Sequence, residues 1–332
     1  MMAAPGPRDP APLCLPGPVQ FPMTASAPYE LHCAHAAARV RIAAWLNDMQ
    51  LAWPGHFKIS VQVGPTCPFP PDSREPLTEP TVEMRAGGGG SAPTTVRLDW
   101  NLKPAAAVVH AELPYAEIWL TEEALEVFEL AERSFLLIVL VFVMRRLGWY
   151  HAHGAAITDP RGRGWLMVGN SKAGKSTTTA FLATQGWQIS TDDIGFLSIR
   201  DGKAVARGPR ERIALRRGGQ ELLGAQAKGI PHRLRNKRLY SAEELGGAWT
   251  PLVIPEIIVF PQFGERTAIA PATPRRALSE LVKWSRWVLF EPQHAQEHLD
   301  VLGQLARQSQ CFELTLGPDL FTRPERFEDL VP

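Results

Sequence analysis

The stretch that most constrains this chain is VGNSKAGKSTTT, Val168 to Thr179. It satisfies G-x-x-x-x-G-K-[ST] at Gly169, Gly174, Lys175 and Ser176, and its flanks decide what such a string can fold into. Apolar WLMV in front reads as a buried strand, and KSTTTAFLATQ behind reads as a helix, the context in which this pattern cradles phosphate. Glycines let the backbone curl so that several N–H groups point inward, and the helix that follows adds its positive N-terminal end. Lys175 supplies a mobile cation for the outer phosphates, and the Ser176 hydroxyl suits Mg²⁺. Gly169, Asn170, Ser171, Lys172, Ala173, Gly174, Lys175, Ser176 and Thr177 are therefore the candidate ATP-binding residues.

The loop gives meaning to its surroundings. Asp192 and Asp193 follow Lys175 by 17 and 18 residues, at the end of the next strand, WQIST. Paired carboxylates beside a phosphate site can divide two tasks, one holding Mg²⁺ and the other accepting the proton of an attacking hydroxyl; the competing reading is a turn or helix cap. His151 and His153 are two apart on a strand and so share a face. Ahead of the loop the order is strand (WYHAHGAAIT), turn (DPRGRG), strand (WLMVG). A turn this short cannot hold a crossover, so the two strands must be antiparallel and the sheet mixed. Further on, SIRDGKAVAR reads as a hairpin about Asp201-Gly202, PEIIVF as a buried strand, Pro274 to Gln308 as two helices, and CFELTL as a final strand.

With 332 residues, 45% hydrophobic and 21% charged, the chain has the composition of a folded globular protein of one large or two ordinary domains. Eight of the 30 prolines precede residue 31, so residues 1–30 read as a disordered tail. Residues 31–148 read as a smaller α+β domain. In it HCAHAAARVRIAAWLNDMQLAW is a helix, FKISVQV, TVRLDW and AEIWL are strands, and Thr121 caps a helix whose first turn carries Glu122 and Glu123. Four glycines at 87–90 mark a loop within it. FLLIVLVF is too short to span a bilayer and reads as a buried helix, with Gly148 as its stop. Residues 149–332 then form the catalytic domain. The scattered Cys14, Cys33, Cys67 and Cys311 make neither a zinc ribbon nor a disulfide framework. With no secretory signal, the expectation is a cytoplasmic protein that does not engage membrane.

HGAAITDPRGRGWLMVGNSKAGKSTTTAFLATQGWQISTDDIGFL resembles the catalytic core of the HPr kinase/phosphorylase-like family, relatives of phosphoenolpyruvate carboxykinases. That family places His-Gly before a hairpin, then a strand, G-x-x-x-x-G-K-S, a helix, a strand and Asp-Asp. The resemblance implies an α/β, mixed-sheet P-loop kinase domain. It implies His153 in the active site, Lys175 on phosphate, Ser176 as a Mg²⁺ ligand, and Asp193 as proton acceptor and second metal-site residue. In the bifunctional members an acidic residue follows the loop serine, where this chain has Thr177. Their later second metal carboxylate has only Glu211 as a stand-in. The nearer likeness is to divergent kinases that modify peptides or small molecules. Such relatives are commonly oligomeric, which leaves a homo-oligomer open.

Net charge is +1, yet Arg207 to Arg238 holds ten Lys or Arg against two acidic residues. No aromatic interleaves them, which argues against nucleic acid. The segment is either a solvated face or a source of a cation, Arg235, Lys237 or Arg238, for the transferring phosphoryl group; Lys237 is the candidate carried forward. HAQEH, His294 to His298, matches an H-x-x-E-H zinc string but reads as an exposed amphipathic helix, and HCAH at His32 to His35 as a helix surface. Three functions remain open: a kinase for Ser or Thr of a protein or peptide, a small-molecule hydroxyl kinase, and a regulator that binds ATP without transferring phosphate.

Overall fold

The computed structural model describes residues 29–49, 55–65, 67, 81–86, 92–99, 104–126, 135–223, 228–232, 236–322, 327 and 330. Most of the proline-rich tail, Cys14, the glycine run and Arg235 lie outside them.

Two mixed sheets organise the described residues. The first has six strands: β1 (Tyr29–Cys33), β2 (Phe57–Val63), β3 (Thr81–Arg85), β4 (Thr94–Asp99), β5 (Ala105–Val109) and β6 (Tyr115–Leu120), in the order β1-β2-β6-β5-β4-β3. β1, β2 and β6 run parallel and the rest antiparallel. Strand alternation puts Phe57, Ile59 and Val61 on the buried face. Helix α1 (Ala36–Asp48) covers them with Ala38, Ile42 and Leu46, spaced by four. His32 and Cys33 thus belong to a strand and not to the expected helix, and His35 caps α1 by accepting from the Ala38 N–H at 3.2 Å. β1 also begins at Tyr29, inside the segment read as tail. Thr121 caps α2 (Glu122–Glu126) through its hydroxyl. The apolar run forms α3 (Leu137–Arg145), buried from Val139 onward. No helix among the described residues is long and apolar enough to cross a membrane.

The second sheet carries β7 (Tyr150–Thr158), β8 (Gly164–Val168), β9 (Gln188–Thr191), β10 (Ile194–Arg200), β11 (Lys203–Arg207), β15 (Ala248–Trp249), β16 (Pro255–Phe263), β17 (Ala268–Pro271) and β18 (Gln310–Leu316). β7 and β8 form the antiparallel hairpin that the short turn demanded, while β8, β16 and β18 run parallel. Helix α4 (Lys175–Thr184) packs on one face, burying Ala180, Phe181 and Ala183 against Ala155, Ile157, Trp165 and Met167. Helices α6 (Pro274–Trp284) and α7 (Pro292–Gln308) cover the other with Ala277, Leu281, Leu302 and Leu305. The α7 face is less exposed than HAQEH suggested: His298 is fully buried and stacks on Tyr150. Within the basic segment stand three short strands, β12 (Ile213–Leu215), β13 (Ile230–Pro231) and β14 (Arg238–Tyr240), and helix α5 (Arg217–Leu223).

The sheets meet along a common core. Phe196 and Val205 of the second sheet pack into the cluster built by the first sheet, α1 and α3, as do Trp287 and Phe290 from the α6–α7 connection. An ion cluster sits at this seam. Glu291, with no exposed side-chain surface, bonds both terminal nitrogens of Arg146 at 2.7 and 2.6 Å and lies 3.3 Å from Nε of Arg145. The Thr94 hydroxyl donates to the same carboxylate.

Candidate active site

β7 is longer than its neighbours, and that mismatch builds the site. Its second half, Gly154 to Thr158, pairs with β8, which ends at Val168 opposite Gly154. Only a glycine fits there, because a Cβ would lie 2.7 Å from the Met167 carbonyl oxygen. Its first half, Tyr150 to His153, runs on and pairs with β10. On that same edge β9 pairs with Ala156 to Thr158. The chain must therefore step from β9 to β10 alongside β7, and Asp192 and Asp193 make that step. It is pinned by the Thr191 hydroxyl donating to the Ile194 carbonyl at 2.8 Å, and so both carboxylates arrive beside His153.

The glycine loop leaves β8 at the same point. Asn170, Ser171 and Lys172 arch outward and are exposed; Ala173 and Gly174 turn back inward. The turn closes with Ala173 N–H donating to Asn170 at 3.2 Å. Lys172 at φ +70° and Gly174 at φ +93° both occupy the left-handed region, the conformation that tips successive N–H groups to one side. At Gly174 a Cβ would also lie 2.8 Å from Leu316 Cδ1. No side chain caps the N-terminus of α4, which leaves its first-turn N–H groups for an anion.

Lys175 is 5% exposed and its ammonium is fully engaged. It donates to the carbonyls of Gly169 and Asn170 at 2.8 and 2.9 Å, and to Nε2 of His153 at 3.0 Å. Because Nε2 accepts, Nδ1 carries the ring hydrogen and faces Asp193, 3.0 Å from Oδ1 and 3.1 Å from the backbone oxygen. Lys175, His153 and Asp193 form one chain of hydrogen bonds. Burial pulls the Lys175 ammonium below its ordinary value, against the opposing pull of Asp193 and Asp192.

The two aspartates differ sharply. Burial pushes Asp192 up to about 6, and the charge of Asp193 adds to the rise; a hydrogen bond with Ser176 opposes it. For Asp193, burial would raise the value, but the His153 hydrogen bond and the charges of Lys175 and Lys237 hold it down at about 2. The pairing differs from the expectation that joined Ser176 with Asp193: the carboxylate at Ser176 is Asp192, and Asp193 pairs with His153. The Oδ1 atom of Asp192 is buried with no hydrogen-bond partner. That orphaned oxygen beside a serine hydroxyl fits a Mg²⁺ that would take its remaining ligands from phosphate and water. Among the described residues no three His, Cys, Asp or Glu side chains converge into a metal site, the HAQEH helix included.

Of the basic-segment candidates, Lys237 has its charge on both Asp192 and Asp193. Arg238 is bound to the carbonyls of Lys228 and Gly229. Thr177 faces α5, where a Cβ on Gly219 would lie 3.0 Å from its hydroxyl. His151 is buried with Nδ1 unpartnered, and burial above all lowers it to about 4, so it stays neutral and structural. Arg286, in the connection between α6 and α7, was missed by sequence reasoning. Its charge bears on both Lys175 and His151, and no local pattern around it signals this.

No family model matches the chain, and no curated protein matches it. Among solved structures it is similar to the Hpr(Ser) kinase/phosphatase from Coxiella burnetii, with 11% identity over 55% of this chain and 93% of that one. The TM-score is 0.29, too low for the likeness to bear on fold or activity.

Proposed function

We propose that this protein is an ATP- and Mg²⁺-dependent kinase that transfers the γ-phosphoryl group to a hydroxyl, that of Ser or Thr in a protein or peptide. One observation carries the reading: the chain of hydrogen bonds from Lys175 through His153 to Asp193 at the mouth of a glycine loop. A loop that only bound nucleotide would need Lys175 and Ser176; an ionised carboxylate oriented by a histidine is what transfer adds. The family resemblance of residues 153–197 points the same way.

In this mechanism the nucleotide phosphates enter the loop, and Lys175 exchanges the carbonyls of Gly169 and Asn170 for phosphate oxygens. Ser176 and Asp192 would hold Mg²⁺, which neutralises charge on the β- and γ-phosphates. The acceptor hydroxyl sits at Asp193, held in place by His153. A bond forms from that oxygen to the γ-phosphorus while the bond to the β-phosphate oxygen breaks. ADP leaves, and the hydroxyl proton passes to Asp193 and then to water. Removal of Lys175 from His153 takes a positive charge away from Asp193 and so raises its basicity as substrate binds. Lys237, whose charge bears on both aspartates, would meet charge building on the transferred group.

The test is Asp193→Asn with γ-labelled ATP and a peptide library. The variant should bind ATP as the wild type does, measured by calorimetry, and transfer no label. Loss of binding and transfer together would show that Asp193 serves the nucleotide and not the acceptor.

A further inference from the structure

Beside the glycine loop stands an aromatic ring that the proposed chemistry does not use. Strand β16 runs parallel to β8 and β18 and ends at Phe263, opposite Leu316, where β18 also ends. Phe263 is 66% exposed, whereas every other described phenylalanine is buried or half-buried. A lone exposed ring says little by itself, so its position has to carry the argument. A Cβ on Gly174 would lie 3.2 and 3.3 Å from Cζ and Cε1 of Phe263. The tip of the ring thus rests against the residue that caps α4.

Strand alternation fixes the side of the sheet on which the ring lies. Ile257 and Val259 of β16 pack into the core beneath α4, and the register runs unbroken from Ile257 to Phe263, so the ring projects on that same side. It lies at the carboxyl ends of β8, β16 and β18, where α/β sheets take their ligands. The segment that carries it is held at both ends. The Gly264 N–H donates to the Leu316 carbonyl at 3.1 Å; the Thr267 N–H donates to Asp319 Oδ1 at 2.8 Å, and the Gly317 N–H to Thr267 Oγ at 3.1 Å. A segment fixed in this way loses little freedom when a ligand lies against it.

On the kinase reading above, we infer that Phe263 is the platform on which the nucleobase of the bound nucleotide stacks, with the ribose and α-phosphate bridging from the ring to the loop. Every base offers a π-face to an aromatic ring, and one such stack is worth about tenfold in affinity. The loop amides and Lys175 hold the phosphates, and Phe263 holds the other end of the molecule. Inorganic tripolyphosphate offers only the first of these two halves, so the two contributions can be measured apart.

The experiment measures the affinity of wild type, Phe263→Ala, Phe263→Leu and Phe263→Trp for ATP and for inorganic tripolyphosphate, each with Mg²⁺, by calorimetry. Phe263→Ala should weaken ATP binding by about tenfold and leave tripolyphosphate binding as it is in the wild type. Phe263→Trp should bind ATP at least as well as the wild type, and Phe263→Leu, apolar but without a π-face, should fall with Phe263→Ala. An equal loss of ATP and tripolyphosphate in Phe263→Ala would overturn the inference by showing that the ring only props the loop at Gly174. ATP binding unchanged in Phe263→Ala, or restored by leucine, would overturn it while leaving the kinase reading intact. A wild type that binds neither ligand would remove the kinase reading and the stacking platform together.

Discussion

Replacing Asp192 by Asn should make the ligand-free protein more stable while disabling it. The carboxyl titrates at about 6 in the fold against 3.8 ordinarily, because burial and Asp193 both disfavour its charge. A folded-state value above the unfolded one means that the wild type loses stability as pH rises from about 4 to about 6, with no further loss above. At about 1.4 kcal/mol per pH unit, the charged form costs about 3 kcal/mol at pH 7.5 and progressively less at pH 5 and pH 4. Asparagine has the same shape, still bonds with Ser176, and never ionises. Urea unfolding at these three pH values should therefore show Asp192→Asn ahead of wild type by a margin that shrinks as the medium is acidified. Addition of Mg²⁺ and ATP should reverse the order, since wild type gains binding energy that the variant forgoes. A variant no more stable than wild type at pH 7.5, or a margin independent of pH, would refute the claim that this aspartate is held in an unfavourable charged state for the metal.

Three further outcomes are expected. Lys175→Ala should weaken ATP binding by about one to two orders of magnitude, the loss of a charge-assisted contact to phosphate; unchanged affinity by calorimetry would remove the loop from the mechanism. Because Asp192 must be ionised to meet a metal, kcat/KM should fall on the acid side with an apparent value near 6, belonging to the aspartate pair and shifting down as Mg²⁺ is raised. Glu291→Gln should cost about 3–5 kcal/mol, because it strands two buried guanidinium groups, Arg145 and Arg146, without a counter-ion; a loss under 1 kcal/mol in urea unfolding would show the cluster to be solvated.

How much of this was legible in the sequence depended on how local each signal was. The hairpin before the glycine loop and the helix after it follow from neighbouring residues, and the structure has both. The spacing of Asp192 and Asp193 from Lys175 brought the pair to the site but could not assign their tasks. That assignment depends on the step between two strands that share one edge of β7, and the step turns one carboxylate toward Ser176 and the other toward His153. HAQEH misled because a string of ligand-type residues says nothing about which helical face is covered; α7 buries His298 against Tyr150. Nothing next to Arg145 and Arg146 signals that their side chains are buried, since the carboxylate that binds Arg146 lies 145 residues further along the chain.

That distant carboxylate ties α3 to the connection between α6 and α7. Glu291 holds the two arginines at the end of α3, and Arg145 in turn holds the Trp287 carbonyl, the residue next to Arg286. Phe142 of the same helix packs on Trp287 and Phe290. The α6–α7 connection is thus held by a helix that packs on the first sheet as well as by the second sheet, which carries the glycine loop. A helix whose buried arginines meet both a carboxylate and a carbonyl of that connection holds the connection as well as itself. This is why a stretch as apolar as FLLIVLVF ends in a pair of buried arginines rather than in a solvated cap.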